Sequence, residues 1–267
     1  MIPYVFSSDM LAAPDGFRVL WSEEEARADI VLDRPPLNVV SIAERAQLAA
    51  AFAALDRDAR VRVIVVRGEG RNFSSGGNIA GFLEASRETL SHLADNVAAP
   101  ERCGKPVIAA IRGYCFGVGF ELALACDFRI AAEGAEFALP EMRLGMIPGS
   151  GGSARLLHMI GIARTKEIAM LGRRIKAAEA RDWGFITACV ADDALDAAVA
   201  ALAAELRGFS PLAQRTLKRV LSDGQNMPLA QAIEHEGEAY GALSASADFK
   251  EGVAAFQAKR KPNFRGE

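Results

Sequence analysis

Three observations predict an α/β fold for this chain. Two continuous apolar runs, Val63-Ile64-Val65-Val66 and Val107-Ile108-Ala109-Ala110-Ile111, have the make-up of strands buried on both faces. Glycine-rich turns follow both runs, at Gly68-Glu69-Gly70 and at 113–119, and the second opens directly into a helical pattern. Beyond Gly152 the pattern becomes almost entirely helical, with short joints at Gly161, Gly172, Gly184 and Gly208.

The elements follow in order. Phe17 to Trp21 and Ala28 to Leu32 are β-branched and aromatic, and the polar run between them suits a hairpin. Asp33-Arg34-Pro35-Pro36 ends the second strand, because proline removes ladder donors. From Ser41 to Asp58 the spacing predicts a helix, with Ser41 as N-cap and Glu44 closing a capping box. Residues 62–67 form a strand, 80–101 a loosely patterned helical stretch, 105–111 a second strand, 118–125 a helix and 128–132 a third strand. Helices are then expected over 153–160, 163–171, 177–183, 195–207, 211–222 and 229–243. A boundary near residue 205 divides the chain into an α/β core, 1–204, and a helical region, 205–267.

The 267 residues suffice for a substantial core. With 51% hydrophobic and 24% charged residues, the composition is that of a folded globular protein and argues against disorder. A net charge of -3 supplies no general attraction for nucleic acid or an anionic membrane. The most apolar stretch, 106–132, is broken by Arg112, Glu121, Asp127 and Arg129, so it reads poorly as a span. Cys103, Cys115, Cys126 and Cys189 lack zinc-ligand spacing and read as buried thiols in a reducing compartment. The N-terminal stretch Met1 to Phe17 has no leader pattern, and the expected location is cytoplasmic.

Two acids stand out, Glu121 and Glu141, each among apolar residues and glycines. A carboxylate there is costly unless paired, hydrogen-bonded or used, and a pair of them suits proton transfer. Gly76-Gly77 and Gly117-Val118-Gly119 are places where backbone N–H groups can face a ligand and stabilise an oxyanion. On spacing alone, tight turns and two structural glutamates account for the same residues. Leu122 stands where a dinucleotide fingerprint needs its third glycine, and no Gly-Lys-Ser/Thr follows Gly145. The three histidines, His92, His158 and His235, are scattered along the sequence, and no Gly-x-Ser-x-Gly elbow is present.

Taken together, 105–110, 117–127, Pro140-Glu141 and Ile147-Pro148-Gly149-Ser150-Gly151-Gly152 resemble the crotonase superfamily, the enoyl-CoA hydratase/isomerase family, and the resemblance runs to Lys259–Phe264. It implies a crotonase-like ββα spiral core with a C-terminal helical region that builds homotrimers, often paired into hexamers. It implies an acyl-CoA thioester as substrate, coenzyme A being part of that substrate, with no separate cofactor and no metal. By the resemblance, Gly77 and Val118 supply the oxyanion N–H groups. Phe73, Ser75, Gly76, Asn78, Ile79 and the basic Lys259 bind substrate. Glu121 deprotonates a water and Glu141 protonates the α carbon, which favours a hydratase of 2-enoyl-CoA thioesters. Double-bond isomerisation and a non-catalytic, CoA-thioester- or RNA-binding role are the alternatives.

The chain departs from the family pattern at two points. Ser75-Gly76-Gly77-Asn78 stands where Ala-Gly-Ala-Asp is frequent, and Val118 replaces a glycine. Both read as changes in acyl-pocket shape. Phe82, Leu83 and Leu90 are expected to border the acyl chain.

Overall fold

The computed structural model describes residues 1–6 and 14–267. The N-terminal stretch read above for a leader lies partly outside them, at residues 7–13. Ten strands are described: β1 (Ile2–Pro3), β2 (Phe17–Ser22), β3 (Arg27–Leu32), β4 (Val63–Gly68), β5 (Val107–Ile111), β6 (Tyr114–Phe116), β7 (Phe128–Ala132), β8 (Glu136–Ala138), β9 (Ile175–Lys176) and β10 (Ala188–Val190). The larger sheet has the order β1-β2-β3-β4-β5-β7-β10 and the smaller one β6-β8-β9.

The expected hairpin is present, β2 and β3 pairing antiparallel with Phe17 opposite Leu32. From β3 onward the large sheet is parallel through β4, β5, β7 and β10. Two successive turns put one strand in this sheet and the next in the smaller one: β5 is followed by β6, and β7 by β8. The helix expected over 118–125 begins only after β6. The glycine turn expected over 113–119 therefore contains a short strand, β6, which its flanking glycines disguise.

The helices comprise α1 (Ile42–Arg57), four short pieces α2 (Ile79–Glu84), α3 (Arg87–Ser91), α4 (Leu93–Val97) and α5 (Ala99–Arg102), then α6 (Val118–Ala125), α7 (Gly152–Leu171), α8 (Ala177–Trp183), α9 (Leu195–Arg207), α10 (Pro211–Gly224), α11 (Leu229–Leu243) and α12 (Ala247–Gln257). The capping box forms as expected: Glu44 N–H donates to Ser41 Oγ at 3.1 Å while Ser41 N–H donates to the Glu44 carboxylate at 3.3 Å. Gly161 interrupts α7 with φ 74°, so the two helices expected there meet at this kink. The anticipated division after residue 204 falls within α9.

The apolar run of β4 is continuous because it serves two cores. Ile64 and Val66 join Leu48, Phe52 and Leu55 of α1 in one cluster. Val63 and Val65 face the other way, with Leu195, Val199 and Leu206 of α9 in a second. Burying each such side chain contributes about 1.5–3 kcal/mol, which is why neither face of the strand can be polar.

A buried arginine fixes the end of α6, the helix that carries Glu121, and a half-buried lysine holds the residue pair that follows and precedes it. Arg129 is 8% exposed, and its guanidinium donates to the carbonyls of Ala123 at 3.2 Å and Phe185 at 2.6 Å. It thereby neutralises the negative end of the α6 dipole. Lys218 of α10 donates to Asp127 at 2.7 Å, and the same Asp127 oxygen accepts from Val107 N–H at 2.8 Å. The C-terminal helices are thus tied to the strand that precedes the site.

Among the described residues no helix is long and apolar enough to cross a membrane. All four cysteines are free thiols; Cys103, Cys115 and Cys126 are buried and Cys189 is half-buried.

Candidate active site

Two loops from different turns of the spiral are stitched together by a β-bridge. Ser74 N–H donates to Tyr114 O at 2.8 Å, and Phe116 N–H donates to Ser74 O at 2.9 Å. Beyond this bridge both chains turn through glycine. Gly76 (φ 118°) and Gly117 (φ 51°) adopt backbone conformations that a side chain would strain. They also lie against each other: a Cβ on Gly117 would sit 3.6 Å from Gly76 Cα.

This closeness delivers two N–H donors to one place. Gly77 is flanked by bonds from Val40 N–H to Gly76 O and from Asn78 N–H to Val40 O, so its own N–H points away from that bridge. Val118 opens α6, where helix geometry leaves an N–H without an intrahelical acceptor. Neither N–H has an acceptor among the described residues. Both residues line a cavity of about 340 Å³.

Glu121 and Glu141 line the same cavity. Glu121 is 2% exposed, and its Oε1 accepts from Ser150 N–H at 2.7 Å and Gly152 N–H at 3.1 Å. The approach needs glycine, since a Cβ on Gly152 would stand 2.9 Å from Glu121 Cγ. Glu141 begins a 3-10 turn, Glu141–Leu144, and its Oε1 would lie 3.1 Å from a Cβ on Gly117. Its Oε2 is buried with no hydrogen-bond partner. Burial, with the neighbouring Glu121 charge adding to it, pushes the Glu141 carboxyl up to about 7. One carboxyl is thus held by N–H donors and the other is poised to carry a proton near neutrality, an arrangement that can take a proton and deliver one within a single pocket.

Of the residues expected at the site, the structure gathers Gly77, Val118, Glu121, Glu141 and Ile79 around the cavity, together with the expected apolar border of Phe82, Leu83 and Leu90. Others stand off its lining. Phe73 is fully buried in the main core, Gly76 supports the turn, Ser75 is half-buried and Asn78 is exposed. Lys259 is exposed just past α12 with φ 53°.

Sequence reasoning missed Arg45 and Ser150, which also line the cavity. Arg45 is 3% exposed and donates through Nη1 to Ser150 Oγ at 3.1 Å. A signal was available, because 45, 48 and 52 fall on one face of α1 and the latter two are buried Leu48 and Phe52. An arginine on an apolar stripe marks something for it to face.

A ββα spiral whose two glycine turns, two carboxyls and apolar cavity converge defines a crotonase-type protein. Comparison with known proteins agrees: the model of the enoyl-CoA hydratase/isomerase family matches residues 22–267, and the chain belongs to this family, within the crotonase superfamily. It is 37% identical over 246 residues to a probable enoyl-CoA hydratase of Bacillus subtilis, covering 90% of this chain and 95% of that one. It is 36% identical over 249 residues to a carnitinyl-CoA dehydratase of Salmonella typhi, covering 89% and 94%. Among solved structures, an enoyl-CoA hydratase subunit of Geobacillus kaustophilus superposes with a TM-score of 0.89 at 36% identity, over 95% of this chain and 99% of the other. The expected α/β spiral fold is therefore established.

Proposed function

We propose that the protein is a 2-enoyl-CoA hydratase. The observation that carries this reading is the placement of Glu121 and Glu141 on one cavity with the unpaired N–H groups of Gly77 and Val118. The thioester oxygen sits between those two N–H donors, which stabilise the enolate-like charge that forms when water attacks the β carbon. Glu121, held by Ser150 and Gly152, orients the water and accepts its proton. Glu141, raised to about 7, gives its proton to the α carbon. Water adds across the double bond, with its hydroxyl going to the β carbon and a proton to the α carbon. Relatives named as dehydratases support the same bond chemistry run in reverse.

Glu121→Gln and Glu141→Gln should each lower turnover by about 10²-fold or more. Hydration near the parent rate in both variants would overturn the assignment. Isomerisation is the second reading, favoured by a Glu141 carboxyl near 7 that could both take and give a proton. Incorporation of solvent oxygen into product separates the two reactions, since only hydration requires it.

Coenzyme A enters with the substrate, and no additional cofactor or metal takes part in this scheme. The Phe73 to Asn78 segment, through its backbone, and Lys259 are proposed to hold the nucleotide end. A cytoplasmic setting is proposed on the same footing. The protein is further proposed to assemble as a homotrimer or a pair of trimers through its C-terminal helices, where Leu229, Ile233 and Tyr240 are 77%, 61% and 73% exposed. Light scattering that gives a stable monomer at micromolar concentration would contradict this.

A further inference from the structure

Arg45 is a buried cation that the scheme above does not use. Its guanidinium makes one hydrogen bond to the protein, from Nη1 to Ser150 Oγ, and forms no ion pair among the described residues, Glu121 and Glu141 offsetting its charge only from farther away. Nε is buried with no acceptor. Nη2 has no acceptor either and lies against Gly77, where an added Cβ would come within 3.0 Å of it. The guanidinium carbon stands 5.4 Å from the centre of the Phe82 ring, one wall of the cavity. Apart from the two carboxyls and Ser150, the lining is glycine and apolar side chains, among them Leu90, Leu93, Leu144, Met146 and Ile147. Arg45 is the one cation among the residues that line it.

A hydrocarbon acyl chain filling this cavity would strip water from the guanidinium and leave its spare donors empty, which is costly for a buried charge. An acyl group that carries an oxygen would satisfy them instead. Sites with a buried polar group discriminate most strongly against analogues that cannot pair with it.

We propose that Arg45 is a specificity residue, donating to an oxygen on the acyl group of the substrate, so that the natural acyl group is oxygenated and not a plain hydrocarbon. The inference rests on the enoyl-CoA reading of the cavity and names its substrate class. Hydroxyl, keto and carboxylate oxygens share the accepting chemistry.

The test compares kcat/KM for 2-enoyl-CoA thioesters of equal length that end in a methyl, a hydroxyl or a carboxylate group, with the parent, Arg45→Met and Arg45→Lys proteins. The parent should prefer an oxygenated substrate by about tenfold or more, and the preferred arm identifies the oxygen. Arg45→Met should lower kcat/KM for that substrate by about 10- to 100-fold more than for the hydrocarbon, the range of a charge-assisted hydrogen bond. Arg45→Lys keeps the charge and should retain part of the preference. Equal losses on all substrates would overturn the proposal and assign Arg45 to support of Ser150 and, through it, Glu121. A parent preference for the hydrocarbon would overturn it too, without need of a folded variant. Should the parent turn over no 2-enoyl-CoA at all, the hydratase reading fails. Calorimetric affinities of the same three thioesters then decide the specificity role separately, and equal affinities would overturn it.

Discussion

Glu121 and Glu141 reach one cavity from unequal supports. Glu121 stands in the first turn of α6, a helix buried along its whole length, and two backbone N–H groups of the 150–152 loop hold its Oε1. Glu141 stands on a single 3-10 turn whose neighbours Leu144, Met146 and Ile147 are 54%, 57% and 71% exposed, and its Oε2 has no partner. The same side chain is therefore placed in two electrostatic settings, one rich in donors and one merely dry. Dryness favours the form of Glu141 that keeps its proton. In the proposed scheme, that contrast divides base and acid work between two identical residues.

The largest effect should come from removing an N–H donor that the proposed scheme assigns to the thioester oxygen. Val118→Pro deletes the N–H at the first position of α6, which a helix tolerates structurally, and should lower kcat by about 10²- to 10³-fold while thermal unfolding stays cooperative. Parent-like kcat in a folded variant would show that this N–H carries no developing charge.

Gly152→Ala attacks the Glu121 side alone. The new methyl would meet Glu121 Cγ at 2.9 Å and Leu139 Cδ1 at 3.2 Å, displacing a carboxylate whose geometry the loop sets. Misplacement on the order of 1 Å costs about 10²-fold in rate. The loss should appear in kcat, with KM nearly unchanged.

pH addresses the Glu141 side. A proton donor raised to about 7 is protonated below that pH, so kcat/KM should fall about tenfold per unit as pH rises above it. Glu141→Gln should abolish that alkaline limb along with most of the activity. Stability carries the same sign: the folded pKa lies above the unfolded value, so the native state holds the proton longer and loses stability as pH rises from about 4.5 through 7. Above pH 7 the Gln variant should therefore match or exceed the parent in urea midpoint. A parent with a flat profile across neutrality would remove the acid role from Glu141.

Much of this was legible from local chemistry. The capping box at Ser41 and Glu44, the buried run of β4 and the glycine break at 161 announce themselves within a few residues. The two carboxyls stand out for the same reason, as acids in apolar surroundings. The small sheet escaped notice because β6 and β8 are three residues long and β9 two, stabilised by neighbours distant in sequence. Ser150 escaped for a related reason: its importance lies in a hydrogen bond to a residue 29 positions away. Arg45 alone left a trace, a charge on the buried stripe of α1. The proposed second oxyanion residue, Val118, is instructive in another way, since a valine would suffice where only its N–H is used.

The smallest effect separates binding from chemistry. Lys259 lies outside the cavity, exposed beyond α12, so its proposed contact with the phosphates of coenzyme A can touch neither proton transfer nor the acyl group. An exposed, salt-screened pairing contributes on the order of 1 kcal/mol or less, about fivefold at most in affinity. Lys259→Ala should raise KM by about two- to fivefold, leave kcat in place, and lose its distinction from the parent at high salt. A fall in kcat with KM unchanged would tie this residue to the two-carboxyl site after all, and would mean that the C-terminal segment reaches the cavity in the assembled protein.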